Sequence, residues 1–270
     1  MSGGSNLKRL AYEARRWMRE ERLARRVELS STPSFILGMQ KSGTSAVAGL
    51  LALRTGTPVA IDLEREWRRS TIVKAATSSA AFDRFVRRNA TDFARPVVKE
   101  PGLTFVHDRL LERWPSASVV IIVREPVATL RSVIERLGIP GDRPRLGSDE
   151  LALVPQPWRS VLDNRWLGID CEHYVDQLAE RWCVAARLAL ARQDDWFTAR
   201  YEDFVADKIG MVDRMAEHLG LPVVAEIDAF LDRPFQPRGA RRDPEEVFGP
   251  NLERIVRRTE ELADRLGYAP

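Results

Sequence analysis

A short apolar strand passes into a polar turn at Ser34-Phe35-Ile36-Leu37-Gly38-Met39-Gln40-Lys41-Ser42-Gly43-Thr44-Ser45. The helix-forming segment Ala46 to Leu53 follows at once. A strand, turn and helix in this order point backbone N–H groups and a helix N-terminus at one place, and such places bind anions, most often phosphate. The stretch therefore predicts a phosphate site at the start of an α/β domain.

The glycines of this turn have the spacing of a Walker A loop, but its lysine does not. Gly38 and Gly43 stand in the G-x-x-x-x-G relation, yet Thr44 occupies the position at which a nucleoside triphosphatase has lysine. The lysine lies earlier, at Lys41. The pattern indicates a phosphate site that is not built for ATP and magnesium.

A second strand and helix carry a further anion signal. The run from Ser118 to Val123 is rich in β-branched residues, as expected for a parallel strand that is buried on both faces. It ends in Arg124-Glu125-Pro126, and the helical segment that follows stops at Gly138. A P-loop triphosphatase usually has a magnesium-binding aspartate at the end of such a strand. Arg124 instead favours a second bound anion.

These motifs resemble the sulfotransferases that use 3′-phosphoadenosine 5′-phosphosulfate (PAPS), in the same order along the chain. Lys41, Ser42, Gly43, Thr44 and Ser45 look like the 5′-phosphosulfate loop of that family, and Arg124 with Ser132 looks like its 3′-phosphate pair. Tyr201, within Trp196 to Phe204, resembles the tyrosine near the adenine. Arg238-Gly239 resembles, more weakly, a late segment that also binds the 3′-phosphate, although its middle lysine is missing. The resemblance implies a PAPS site that requires no metal.

The remaining pattern predicts a three-layer α/β sandwich with a central parallel sheet. Five strand candidates alternate with helical segments, and this alternation is typical of a parallel sheet with helices on both faces. The candidates are Ser34–Gly38, Pro58–Ile61, Val97–Glu100, Ser118–Val123 and Phe197–Tyr201. Helices are also predicted over Cys171–Leu190, Met211–Leu219 and Leu252–Leu266.

Composition is that of an ordinary globular chain. Of 270 residues, 44% are hydrophobic, and 42 basic against 39 acidic residues leave a net charge of +3, which does not argue for nucleic acid. Cys171 and Cys183 offer neither a disulfide framework nor a metal-ligand spacing. No apolar run approaches the roughly 20 residues of a membrane span, and no hydrophobic signal core opens the chain. We expect a cytoplasmic protein with no integral membrane contact.

Two segments flank or interrupt this domain, which we place at residues 34–270. Residues 1–33 hold a basic amphipathic helix candidate over Asn6 to Leu29. It packs on the domain or on a partner subunit, giving a homo-oligomer, or it binds a membrane surface or polyanion. Residues 139–170 are rich in proline and glycine and contain Trp158 and Trp166. That stretch is a substrate lid or is disordered, and the tryptophans favour a lid.

Transfer of a sulfuryl group to a hydroxyl also requires a proton acceptor. In small-molecule members of the resembled family, a histidine follows shortly after a lysine at a strand end, but Lys99-Glu100-Pro101 contains none. Carbohydrate-type relatives use a glutamate placed where Asp62 to Trp67 lies here. Glu66 and Glu64 are therefore the first candidates, and His107 is the alternative. Lys41 is suited to neutralising charge on the leaving phosphate.

The expected function is sulfuryl transfer to a small-molecule or glycan acceptor, with a carbohydrate-like or natural-product hydroxyl favoured. Two alternatives from other classes stay open. One is a P-loop kinase acting on a small molecule, and the other is a non-catalytic protein that binds polyanions through its N-terminal helix. The first lacks the Gly-Lys-Ser/Thr motif, and the second leaves both phosphate-shaped motifs unexplained.

Overall fold

A five-stranded parallel sheet forms the centre of the protein, as the alternating pattern predicts. A computed structural model describes residues 26–233, 235 and 242–268. The strand order is β2-β3-β1-β4-β5, and each neighbouring pair is parallel. The strands are β1 (Ser34–Gly38), β2 (Val59–Ile61), β3 (Val97–Lys99), β4 (Val119–Val123) and β5 (Phe197–Arg200). The five predicted strands are confirmed, with ends that differ by no more than one residue.

Helices connect successive strands and continue beyond the last one. They are α1 (Thr44–Thr55), α2 (Glu64–Arg68), α3 (Ile72–Ala75), α4 (Ser79–Arg88), α5 (Ala90–Phe93), α6 (His107–Arg113), α7 (Pro126–Leu137), α8 (Ser148–Leu153), α9 (Gln156–Leu162), α10 (Tyr174–Ala191), α11 (Tyr201–Ala206), α12 (Lys208–His218), α13 (Pro244–Phe248) and α14 (Asn251–Arg265). Short 3₁₀ helices lie at Pro101–Val106, Arg165–Leu167 and Asp228–Phe230.

The central strands divide their side chains between two hydrophobic cores. In β1, Phe35 and Leu37 belong to one buried cluster and Ile36 to the other. In β4, Ile121 joins the first cluster and Ile122 the second. Successive side chains of a strand point to opposite faces, so a sheet covered on both sides requires apolar residues at every position. The continuous β-branched runs of the sequence follow from this arrangement.

Different helices cover the two faces and complete the three layers. Apolar residues of α1 and α12, such as Val47 and Met215, pack in one cluster. Those of α7, α10 and α14, such as Val133 and Leu178, pack in the other. The connections that leave β1 and β4 therefore pass to opposite faces. In a parallel sheet this divergence opens a crevice at the carboxyl ends of the two strands, where ligands bind.

Two sequence predictions concern the N-terminal segment and residues 139–170. Residues 1–25, and with them most of the predicted N-terminal helix, lie outside the described residues. Residues 139–170 contain α8, α9 and a 3₁₀ turn, and Trp158 is buried in the core. Over the described part of the chain, the helices are all too short or too polar to cross a membrane.

Candidate active site

Two hydrogen bonds that involve side chains fix the backbone of the turn after β1. Gly38 N–H donates to Thr104 Oγ1 over 2.8 Å, and Ser42 Oγ donates to the carbonyl oxygen of Met39 over 2.7 Å. Lys41 has a left-handed backbone, with φ of 72°, although it carries a side chain. Such strain at a non-glycine residue is retained where the surrounding structure enforces it, often at functional sites.

Helix α1 begins at this loop with its N-terminus available to an anion. Gly43 is its N-cap, and no side chain caps the helix. The first turn contains no acidic residue, so no side chain of the helix itself neutralises the positive end of its dipole. Thr44 and Ser45 line the cavity in front of it. Ser42 does not, because its hydroxyl is turned back to the loop backbone.

A side chain at position 43 would overlap with the ring of Tyr201. A Cβ atom there would lie 2.1 Å from Cδ2 of Tyr201, and the residue has φ of 96°. Tyr201 begins α11 directly after β5, so its ring covers the loop. The guanidinium of Arg124 lies 4.9 Å from the centre of the same ring, and Arg124 Nη1 donates to the carbonyl oxygen of Lys41 over 2.9 Å. Three of the separate sequence motifs, the phosphate loop, Arg124 and Tyr201, are thus in direct contact.

The segment around Arg124 positions a second row of polar groups. Glu125 caps α7 by accepting from the N–H groups of Val127 and Ala128, over 2.8 and 2.5 Å. The Arg124 carbonyl oxygen accepts from Trp182 Nε1 over 2.9 Å. Burial lowers the pKa of Arg124, as expected for a cation held away from water. Ser132 lies on the cavity-facing side of α7.

The carboxyl ends of β2 and β3 contribute an ion pair that the sequence motifs do not include. Lys99 Nζ pairs with Asp62 Oδ1 and lies 2.8 Å from Ser45 Oγ, so one buried ammonium joins Asp62 to the phosphate loop. The Lys99 side chain is 2% exposed, whereas that of Asp62 is 14% exposed. Asp62 also has a left-handed backbone, with φ of 64°. The carboxylate is the member of this pair that solvent in the cavity can reach.

Glu100, the next residue after Lys99, is held by backbone donors. Its carboxylate accepts from Gly102 N over 2.8 Å and from Leu63 N over 3.2 Å. Burial, together with the negative charge of Asp62, raises the pKa of Glu100 to about 7. Because Leu63 follows Asp62 directly, Glu100 fixes the backbone on which Asp62 sits.

One cavity of about 420 Å³ at the carboxyl edge of the sheet is lined by Lys41, Asp62, Lys99, Arg124 and Tyr201. Its lining includes more cations than carboxylates among the described residues. The cations are Lys41, Lys99, Arg124, Arg131, Arg136, Arg181, Lys208 and Arg233, and the carboxylates are Asp62, Glu66, Glu100 and Glu135. Burial and the charge of Arg136 lower the pKa of Lys41. The cavity therefore favours an anionic ligand.

The other wall of the cavity comes from the segment proposed as a lid. Pro157, Trp158, Ser160 and Val161 of α9 line it, and so does Trp67 of α2. Ser70 N–H donates to Gln156 Oε1 over 2.7 Å and ties this segment to the residues after α2. The wall combines apolar surface with a few polar groups, as small-molecule sites usually do.

The structure separates the three predicted proton acceptors. Glu66 lines the cavity, but its carboxylate accepts from the N–H and hydroxyl of Thr71 and lies 3.4 Å from Asn89 Nδ2. It is a buried anchor for the turn between α2 and α3. Glu64 has a side chain that is 74% exposed and pairs with Arg68 over 2.8 Å, so it lies outside the cavity lining.

His107 does not reach the cavity either. Its Nδ1 lies 3.1 Å from the carbonyl oxygen of Thr104, and its ring packs edge-on against Trp196. Arg238 and Gly239, the late candidates for the 3′-phosphate, lie outside the described residues. The neighbouring Arg233 and Phe235 do line the cavity.

Sequence reasoning missed Lys99, Asp62 and Glu100 as members of the site. A signal for them was present, because Asp62 follows a predicted strand and Lys99 and Glu100 end another. Polar residues at the carboxyl ends of parallel strands meet at one edge of the sheet. Arg181 of α10 also lines the cavity, and it carries no such signal.

One protein-family model matches this chain. The sequence profile of the sulfotransferase family matches residues 53–226, nearly two thirds of the chain. The match includes Asp62, Lys99, Arg124 and Tyr201, and it begins after the phosphate loop. A search of curated proteins finds no match.

Solved structures share the fold at low identity. Sulfotransferase STF9 from Mycobacterium avium is 13% identical, with a TM-score of 0.56, and the alignment covers 93% of this chain and 80% of that one. Mouse sulfotransferase SULT7A1, solved in complex with PAP, is 12% identical, with a TM-score of 0.50 over 90% of this chain and 87% of that one.

Proposed function

The chain belongs to the sulfotransferase family, and we propose that it transfers the sulfuryl group of PAPS to a hydroxyl of a carbohydrate-like or natural-product acceptor. The observation that carries the proposal is the meeting of four groups at one cavity. These are the loop from Lys41 to Ser45, the Arg124 and Ser132 pair, the Tyr201 ring and the Asp62–Lys99 pair.

The residues present fit a nucleotide with phosphates at both ends. The uncapped N-terminus of α1 and the side chain of Lys41 would hold the 5′ end. Arg124 and Ser132 would hold the 3′-phosphate, and Tyr201 offers a ring for the base. Arg238 and Gly239 are further candidates for the 3′ end. The mouse protein was solved in complex with PAP, which is adenosine 3′,5′-bisphosphate, the product that PAPS leaves after sulfuryl transfer.

We place the reacting centre between Lys41 and Asp62. When bound, PAPS supplies an activated sulfuryl group on its 5′-phosphate. In the overall transfer, the acceptor oxygen forms a bond to sulfur, the bridging sulfur–oxygen bond breaks, and its electron pair stays on the phosphate. Such a loose transfer calls mainly for positioning and charge neutralisation, by analogy with phosphoryl transfer.

Asp62 is the group that takes the acceptor proton in this scheme. It is the carboxylate at the carboxyl edge that is both part-exposed to the cavity and joined to the loop through Lys99. Lys99 orients Asp62 and adds positive charge beside Ser45, while Lys41 neutralises charge on the leaving phosphate. Glu66 fits the role less well, because hydrogen bonds from Thr71 and Asn89 already occupy its carboxylate.

The test is turnover of ³⁵S-labelled PAPS against a panel of hydroxyl acceptors, with a chelator present. We expect transfer without divalent metal, and calorimetric binding of adenosine 3′,5′-bisphosphate that is tighter than that of AMP. Magnesium-dependent ATP turnover without sulfate transfer would instead identify a kinase. Binding that is equal for the two nucleotides would contradict the assigned 3′-phosphate site.

A further inference from the structure

Arg181 lies in the cavity wall and has no role in the scheme above. Its side chain is among the largest that are fully buried, with the residue 1% exposed, and it lines the cavity from α10. Its guanidinium stacks on Phe105, with Cζ 3.6 Å from the ring centre. Nη1 donates to Asn164 Oδ1 over 2.6 Å and to the carbonyl oxygen of Ser160 over 3.3 Å. This packing fixes the orientation of the charged plane.

The acceptors bonded to Arg181 are neutral oxygens. Among the described residues, no carboxylate comes within ion-pair distance of its guanidinium. Burial lowers the pKa of Arg181 to about 9, and the charge of Glu100 opposes the shift. A buried cation is costly unless an anion accompanies it. The site is thus built around a positive charge that its own chain does not pair directly.

One edge of the guanidinium is poorly satisfied. Nε and Nη2 both donate to the same oxygen, Gln40 Oε1, over 3.3 and 3.2 Å. This is the edge on which an arginine receives a carboxylate with two parallel, shorter bonds. Gln40 supplies a single neutral oxygen there, and it also lines the cavity. A carboxylate in its place would provide two oxygens and a counter-charge.

Arg181 lies between the phosphate loop, which it contacts at Gln40, and the segment that contains α9. Its neighbours Ser160 and Asn164 belong to the segment of α9 and the following turn, and Trp166 lies 5.7 Å from its Cζ. Arg124, by contrast, contacts Lys41 and Tyr201. Arg181 therefore lies beside the part of the cavity wall that Pro157, Trp158 and Val161 form, away from Tyr201 and Arg124, and we assign this part to the acceptor.

We propose that the acceptor carries a carboxylate, and that this group binds the Nε/Nη2 edge of Arg181 in place of Gln40. The inference rests on the proposed function for the hydroxyl that reacts, and it narrows the acceptor to a hydroxy acid with an apolar body. Arg181 then sets specificity, and Gln40 occupies the edge until the acid arrives.

Calorimetry on the intact protein saturated with adenosine 3′,5′-bisphosphate tests the proposal. The probes are ω-hydroxy acids of increasing length and hydroxybenzoates, each beside its methyl ester, with hydroxyalkyl phosphates as a further arm. We expect at least one acid to bind about ten- to a hundredfold more tightly than its ester, as for a bond to a charged group. The assignment would be overturned if none of the acids bound more tightly than its methyl ester, or if the phosphates bound more tightly than the acids.

Substitutions locate the effect at the proposed edge. Arg181→Gln should remove the advantage of acid over ester, and Arg181→Lys, which keeps the charge without the fork, should retain only part of it. Gln40→Ala should increase the advantage, whereas Gln40→Glu should abolish it by placing an internal carboxylate on the edge. The matched control is Arg159→Gln, an exposed arginine of α9 that does not line the cavity, which should leave the advantage unchanged.

The Gln40 variants keep the proposal falsifiable if Arg181→Gln fails to fold. Retention of full acid preference in Gln40→Glu, or in a folded Arg181→Gln, would refute it. Binding of adenosine 3′,5′-bisphosphate is measured separately. Its absence would count against the proposed function, while the preference for acid over ester, measured without nucleotide, would still test Arg181.

Discussion

Replacing Asp62 by asparagine should separate the chemical step from nucleotide binding. Asparagine keeps the size of the side chain and can still accept a hydrogen bond from Lys99 Nζ, but it cannot take a proton from the acceptor. Loss of a general base typically lowers the rate by about 10²–10⁴-fold. The affinity for adenosine 3′,5′-bisphosphate should change little, because Arg124, Ser132 and Lys41 are intact.

The Asp62→Asn substitution should also lower the stability of the protein, and the assay must exclude this effect. Lys99 is 2% exposed at its side chain, so the substitution leaves a buried ammonium without its counter-charge. Breaking a fully buried pair costs about 3–5 kcal/mol, and less is expected here because Asp62 is part-exposed. For a chain of this size, each 1 kcal/mol lost from the free energy of unfolding lowers Tm by roughly 2–4 °C. Rates should therefore be measured well below the Tm of the variant.

Two glutamine variants serve as controls and test the first sequence candidates. Glu64→Gln should keep near-normal turnover, since that side chain lies on the surface with Arg68. Glu66→Gln should lower Tm, because its carboxylate accepts the hydrogen bonds of Thr71 and each such lost bond costs about 1–3 kcal/mol. Near-normal turnover in Asp62→Asn would exclude Asp62 as the proton acceptor. Loss of turnover in Glu66→Gln with an unchanged Tm would assign that role to Glu66 instead.

Three further variants and one control variant test the donor site and the buried acid. Arg124→Gln should weaken binding of adenosine 3′,5′-bisphosphate about ten- to a hundredfold and leave AMP binding nearly unaltered in calorimetry; an equal loss for both would contradict its role. Gly43→Ala should lower Tm and nucleotide affinity, because the new Cβ meets Tyr201, whereas Gly138→Ala, which also has positive φ but nothing within 4 Å, should lower Tm alone. Glu100 has a pKa of about 7 in the folded protein against an ordinary value of 4.5, so the folded state binds the extra proton and stability falls as pH rises through this interval. Urea unfolding at pH 5 and pH 8 should therefore show a smaller fall in Glu100→Gln than in the wild type, and identical falls would exclude the shift.

Local patterns in the sequence predicted most of the fold and the residues that we propose for the donor half of the site. The run from Ser34 to Ser45 predicted the loop because strand, turn and helix are specified by neighbouring residues. The same holds for the strand that ends before Arg124 and for the eight-residue step to Ser132. The residues of each motif are near neighbours in the chain, so local structure brings them to the same cavity, while their assignment to the phosphates comes from the family resemblance.

The tertiary structure decided the proposed acceptor half, where the partners are distant in the chain. Lys99 meets Ser45, 54 residues away, only because β3 lies beside β1 in the sheet. Arg181 meets Gln40 across 141 residues through the packing of α10 against the sheet. The family resemblance predicts Glu66 or Glu64 as a base, and the hydrogen bond from Thr71 to the Glu66 carboxylate appears only in the fold. Strand order and helix packing set such contacts, and they depend on the burial of the whole chain rather than on any short segment of it.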